Sequence, residues 1–281
     1  MKDCPVDIEG LYEGYIARKN EENYKERYEG KEKYYHGSGA GSCSRKLYFE
    51  SIDQVEATNF TDERVNRLLR LGTIVHDDIQ IALMKFQGNQ ILKDERSSDT
   101  IYSNTIDSNT IYCKEKEIHN LQKESFDFHI EKEVILPDLN VRGFYDLVAV
   151  SRTTGKVFLI DFKTMASYAW SRKFGYKNPD PSATKHQEIQ LATYGLAVEK
   201  EFGRLDGMYL YYYKKDDSRM RCVSVGLHML KSAYNFWVNV NKEHEKGLPQ
   251  FRQGISPVED WNCSYCKYLD HCNPPFHKRK K

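Results

Sequence analysis

"VRGFYDLVAVSRTTGKVFLIDFKT", residues 141–164, decides how the chain must be read. Two β-rich runs flank the turn cluster "SRTTG", which predicts neighbouring strands joined by a hairpin turn. The second run, Val157-Phe158-Leu159-Ile160, ends in Asp161-Phe162-Lys163. Side chains alternate along a strand, so Asp161 and Lys163 share one face and Phe162 points to the other. Asp146 sits on the strand before. A surface ion pair would contribute only about 0–1 kcal/mol and would need no apolar strand behind it. Charges at the end of a central strand need a reason, because burying them unpaired is costly. The alternative to an ion pair is a reaction centre.

Working outward, "FHIEKEVIL" (128–136) reads as the preceding strand and brings Glu133 as a further acidic candidate. "TDERVNRLLRLGTIVHDDIQIALMKFQ" (61–87) has near-helical apolar spacing and a cap candidate in Thr61. "TKHQEIQLATYGLAVEKEFG" (184–203) reads as a helix stopped by Gly203. Two strands (206–214 and 220–226) and a helix ending at Gly247 follow. Helix, three strands, helix and strand, in that order, predict an α/β fold with a mixed central sheet flanked by helices. The charged, then glycine-rich stretch 20–41 reads as a solvated segment and a flexible joint. The polar stretch near 93–125, with its near-repeat "SNTIDSNTI", reads as an insertion.

The composition bounds the class. With 281 residues the chain can bury a sizeable core, and 42 basic against 41 acidic side chains exclude neither an acidic nor a basic partner. No apolar run approaches the roughly 20 residues of a membrane helix, and the N-terminus has no apolar signal core, so a cytoplasmic protein without membrane contact is expected. Seven cysteines without a secretory signal argue against a disulfide framework.

Phosphodiester hydrolysis gives the charged strand ends a purpose. A hard divalent cation held by a few carboxylates activates water and clamps the phosphate, and Mg²⁺ suits a site with few protein ligands. Asp146 and Asp161 supply carboxylates, and Lys163 can orient the water or neutralise developing charge. His76, on the apolar stripe of its helix, reads more readily as a hydrogen-bonded core residue than as a ligand. Gln190 and Tyr194 are four apart on one helix face, with Gln187 a turn earlier. The row is either an ordinary exposed face or a DNA-contacting one. Cys263, Cys266 and Cys272 fall in one short stretch, "CSYCKYLDHC", and with a fourth thiolate suit Zn²⁺ or an iron–sulfur cluster, and His271 could join a zinc site. Arg45, Lys46 and the tail "HKRKK" could meet phosphates, although such a tail is more often a solvated end. Tyr48, Phe49 and Trp170 could stack on unpaired bases.

Gly72-xxx-His76, Gly143-xx-Asp146, Asp161-Phe162-Lys163 and Gln190-xxx-Tyr194, in this order, resemble the motifs of RecB-like nucleases of the PD-(D/E)XK superfamily. Cys43 with Cys263-xx-Cys266-x5-Cys272 is similar to the four-cysteine signature of the CRISPR-associated "Cas four" exonucleases. The resemblance implies a restriction-endonuclease-like core with Mg²⁺ or Mn²⁺ held by His76, Asp146, Asp161 and the Phe162 carbonyl. It implies that Lys163 is catalytic, that Gln190 and Tyr194 position DNA, and that a [4Fe–4S] cluster joins Cys43 to the C-terminal cysteines. The expected domains are a charged extension (1–41), the nuclease domain (42–260) and a cysteine-rich element with a basic tail (261–281). The expected activity is a DNA exonuclease acting on single-stranded ends, with CRISPR adaptation or recombination proteins as partners. The alternative is a non-catalytic DNA-binding accessory subunit.

Overall fold

The structure is a computed structural model that describes residues 7–53, 55–58, 62–94, 126–177, 179–250, 263 and 266–272. The stretch 95–125 within the expected insertion, the cap candidate Thr61, Cys4, Cys113 and the basic tail lie outside the described residues.

Strands β2 (Phe126–Leu136) and β3 (Val141–Ser151) form an antiparallel hairpin. The chain turns through Pro137–Leu139, and Asn140 takes a left-handed conformation (φ 55°) that asparagine tolerates. β4 (Val157–Met165) pairs with β3 only from Leu147↔Ile160 to Val150↔Val157, then continues beside β5 (Gly207–Lys214) in parallel. Parallel strands need a crossover, and α4 (Ser167–Phe174) with α5 (Lys185–Phe202) supplies it. β6 (Met220–Val225) closes that side antiparallel to β5. On the other side, β1 (Tyr35–His36) pairs in parallel with Val141 and Arg142 of β3.

Because β2 occupies one edge of β3 along its length, β1 and β4 must share the other edge. Between them β3 and β4 part. The β3–β4 ladder ends one residue before Asp146 would face Asp161, and like charges directly opposite are unfavourable in a sheet. This fork positions the site.

α5 buries Ile189, Leu191, Ala192 and Val198 in one core with Val157 and Leu159 of β4 and Met208, Leu210 and Tyr212 of β5. Burial alternates strictly along β5, with Met208, Leu210, Tyr212 and Lys214 inward, as the "YLYYY" pattern requires of a half-buried strand. α6 (Met229–His244) packs on α5, where fully buried Trp237 donates from Nε1 to Thr193 Oγ1 at 2.9 Å. α3 (Glu63–Asp94) contacts β2 and β4, and its first turn is capped by Asp62, whose Oδ1 accepts from the Arg64 N–H at 2.8 Å. Gly203 ends α5 with φ 70°, as its sequence position predicts.

In the stretch 20–41 the charged part, 20–33, is largely exposed, as read, but the glycine-rich part is not a flexible joint: it folds into a short strand and a buried turn at Gly37–Gly39. The first part of the stretch belongs to α1 (Ile8–Tyr28), its middle forms β1, and Ala40 is buried in the core. α1 leans on α3 through ion pairs from Arg67 to Glu9 (2.9 Å) and Glu13 (2.5 Å).

Candidate active site

Asp161 is almost fully buried at the fork, with its carboxylate Oδ2 2.7 Å from Lys163 Nζ. The contact has the distance of an ion pair but not the alignment of a hydrogen bond, so Oδ2 is a buried oxygen without a hydrogen-bond donor. Burial pushes the Asp161 carboxyl up to about 7; Lys163 opposes this and Asp146 adds to it. Burial works against the Lys163 ammonium, yet the charges of Asp161 and Asp146 outweigh it and raise its pKa. Lys163 Nζ also donates to Gln190 Oε1 at 3.1 Å.

Asp146, on the other branch, accepts from the Phe162 backbone N–H at 2.6 Å and lies 2.9 Å from His76 Nε2. The same nitrogen is 3.2 Å from the Phe162 carbonyl oxygen. Burial disfavours the charged imidazole, but the hydrogen bond and charge of Asp146, with the Phe162 carbonyl and Asp161 behind, lift His76 to about 9. The ring therefore turns its Nε2 to the Asp146 carboxylate and the Phe162 carbonyl rather than into the apolar core its stripe suggested. Gly72, one turn before His76, makes this reach available: a Cβ there would lie 2.7 Å from Thr164 Oγ1 of β4.

The structure corrects the acid contributed by β2. Glu133 turns away to Lys31 and Arg142, each at 3.3 Å. Glu131 comes in instead: it stands opposite Asp146 in the hairpin register, at the one place where the β2–β3 pairing lapses, with φ 50°. A positive φ is costly for a glutamate and occurs where surrounding structure enforces it. Glu131 Oε2 accepts from Gln80 Nε2 at 2.7 Å, and Oε1 lies 2.6 Å from Arg27 Nη2. Ligand atoms of His76, Glu131 and Asp146 fall within 4.8 Å of one another. One imidazole with carboxylates suits a hard divalent cation such as Mg²⁺ or Mn²⁺, and the donorless Asp161 oxygen at the same fork fits that assignment.

Gln190 and Tyr194 are not on an exposed helix face. Both line a cleft of about 690 Å³ together with His76, Asp146 and Lys163. Tyr194 is buried, its hydroxyl accepts from Gln190 Nε2 at 3.4 Å, and burial raises its pKa. Its ring fits against Gly143, where a Cβ would sit 2.7 Å from the ring edge. Gln187 leaves the row, because its Oε1 accepts from the Tyr212 hydroxyl at 2.9 Å.

Arg45, in the short helix α2 (Ser44–Tyr48), is also not a phosphate contact. It is buried, donates to the Pro249 carbonyl, and places Nε 3.3 Å from Cys272 Sγ. Of the proposed stacking aromatics, Phe49 packs against Tyr268, Trp170 against Phe174, and Tyr48 edge-on to His244. Around Arg45 the segments 43–58 and 266–272 meet. Thr58 N–H donates to the Lys267 carbonyl at 2.9 Å, and Lys267 pairs with Glu50 at 2.8 Å. Burial pushes the Cys266 thiol up and its neighbours Cys43 and Cys272 add to this, while Lys46 pulls it down. Cys263 sits in the same turn, its carbonyl accepting from the Cys266 N–H at 3.1 Å. His271 hydrogen-bonds the Glu56 carbonyl at 3.0 Å. Cys222 is exposed on β6.

A forked mixed sheet that gathers two aspartates, a lysine and a histidine can hold a divalent cation beside a phosphate. The chain matches the family model of the PD-(D/E)XK nuclease superfamily over residues 38–273 and belongs to that superfamily. Among solved structures it is similar to SSO0001 at 15% identity, covering 95% of this chain and 98% of that one, with a TM-score of 0.47. It is also similar to a protein from Eubacterium rectale named "Putative exonuclease", at 16% identity over 99% of this chain and 96% of that one, with a TM-score of 0.43. Both likenesses are loose, and the assignment rests on the superfamily match and the site. No curated protein matches. Among the described residues, no helix is long and apolar enough to cross a membrane.

Proposed function

We propose that the protein is a cation-dependent DNA exonuclease that acts on single-stranded ends. The observation that carries this reading is the juxtaposition of Asp146, Asp161 and Lys163 at the fork, where Asp146 and Lys163 line one cleft and Asp161 is buried behind them against the lysine. His76, Asp146 and Asp161, with the Phe162 carbonyl, would hold the cation, and Glu131 stands beside them. The cation, when bound, polarises the scissile phosphate and lowers the pKa of a water. Lys163 keeps its proton and faces the same space, so it neutralises charge that develops on the phosphate oxygens. Gln190 fixes the lysine from behind, and Tyr194 shapes the cleft floor. A binding-only subunit would have no use for a buried lysine held against two acids at such desolvation cost.

We further propose that Cys43, Cys263, Cys266 and Cys272 hold a [4Fe–4S] cluster that joins the N-terminal region to the C-terminal cysteines. The neighbouring thiols and the Arg45 N–H directed at Cys272 sulfur support a thiolate site. Anaerobically purified protein should be brown and contain iron and sulfide; colourless protein with stoichiometric zinc would refute the cluster. The nuclease reading is tested with end-labelled linear and circular single strands and with duplex, in Mg²⁺, Mn²⁺ or EDTA. Cation-dependent shortening of linear single strands, with circles spared, is expected. Binding without cleavage in either cation would move the assignment to the accessory subunit.

A further inference from the structure

α1 lies outside the residues that match the superfamily, 38–273, yet it forms part of the cleft wall. Asn20, Asn23, Tyr24 and Arg27 line the cleft, and their spacing of three to four places them on one helix face. The helix is rich in glutamate, but among the described residues none of its glutamates lines the cleft. The face turned to the site is therefore neutral amide, phenol and guanidinium, in a helix whose other positions carry Glu21, Glu22 and Glu26. That distribution keeps negative charge away from the path of a polyanion.

We propose that Arg27 binds a phosphate of the substrate strand, making α1 a second jaw of the cleft. The proposal rests on the nuclease reading above and adds a residue to it. Arg27 Nη2 is 2.6 Å from Glu131 Oε1, its guanidinium carbon lies 4.7 Å from the centre of the Phe144 ring, and its side chain is 39% exposed. One guanidinium nitrogen thus fixes Arg27 on the acid nearest the cation ligands, and the aromatic ring holds the plane. A guanidinium has five donors in a planar fork that matches phosphate geometry. Charge is compatible with this. Asp77, Glu131 and Asp146 line the cleft with Arg27 and Lys163, and an entering dication would offset these carboxylates and leave the guanidinium donors not turned to Glu131 for a phosphodiester.

The test is binding of an end-labelled single-stranded oligonucleotide in Ca²⁺ over a range of salt, with Mg²⁺-dependent cleavage measured in parallel. Arg27→Ala should weaken binding about tenfold and reduce the slope of log affinity against log salt by about 0.7, the value of one phosphate contact on a single strand. Arg27→Lys should retain the slope. Asn23→Asp, which places a charge on the cleft side of α1 without removing a partner, should weaken binding several-fold. An unchanged slope and affinity in Arg27→Ala, with reduced cleavage, would show that Arg27 only props Glu131. Unaltered binding in Asn23→Asp would remove α1 from the strand path. A wild-type protein that neither binds nor cleaves the strand would instead overturn the nuclease reading, and this proposal with it.

Discussion

The fork and the cysteine corner both join residues far apart in the chain, but by different means. At the fork, Asp146 and Asp161 are placed by strand register, on two strands each locked to a further neighbour. At the corner, Cys43 and the 266–272 turns meet through a few backbone bonds, the Lys267–Glu50 pair and the reach of Arg45. The fork is held by the sheet before any cation arrives. Among the described residues the corner has no such scaffold, so a cluster held by its thiols, as proposed, would supply much of its cohesion. On the proposed function, chemistry is built on the sheet and attachment on the corner.

If this contrast is right, damage to the corner should be structural and damage to the fork chemical. Cys266→Ser should lose the chromophore completely and lower the thermal midpoint, while the remaining folded molecules cleave at the wild-type rate per molecule. Active-site titration with calorimetry separates the two; a stable, clear protein without activity would reverse the assignment. Glu131→Gln should leave the midpoint near wild type but weaken cation affinity by about 10- to 100-fold, as loss of a supporting carboxylate does. Isothermal titration with Mn²⁺ measures it, and unchanged affinity would show that Glu131 serves only Arg27 and Gln80.

The pH dependence sharpens the same contrast. His76 is raised from 6.5 to about 9, so the folded, cation-free protein binds a proton that the unfolded chain has lost. Its stabilising contribution is complete below pH 6.5 and vanishes as pH rises through about 9. In EDTA, the wild-type advantage over His76→Asn in urea midpoint should shrink across that window. Cation affinity should rise over the same range, because the cation displaces the imidazole proton. A constant difference would contradict the His76–Asp146 pair. The smallest effect is expected at Gln187→Ala, which removes the hydrogen bond to Tyr212: about 1 kcal/mol of stability and no change in oligonucleotide affinity.

Much of the fork is legible in the sequence because it obeys short-range rules. Alternation fixes which face Asp161 and Lys163 occupy, and the turn "SRTTG" fixes the neighbour that brings Asp146. Glu131 was legible in principle: counting back across the 137–140 turn pairs it with Asp146, whereas Glu133 pairs with Phe144. Motif spacing alone cannot make that distinction. Arg45 and Gln187 are different, since their partners, Pro249 and Tyr212, are set by tertiary contact and leave no local pattern. α1 is hidden for a further reason. It is held by ion pairs to α3 and β2 rather than by an apolar stripe, so a hydrophobicity pattern reads it as solvated.

The most direct test of the account is Asp161→Asn, which keeps the shape of the buried side chain and removes its charge. Single-turnover cleavage of an end-labelled single strand in Mn²⁺ should fall by on the order of 10³-fold or more, with oligonucleotide binding and the thermal midpoint retained. Cleavage within tenfold of wild type would mean that the acid–lysine pair at the fork is an ion pair and nothing more.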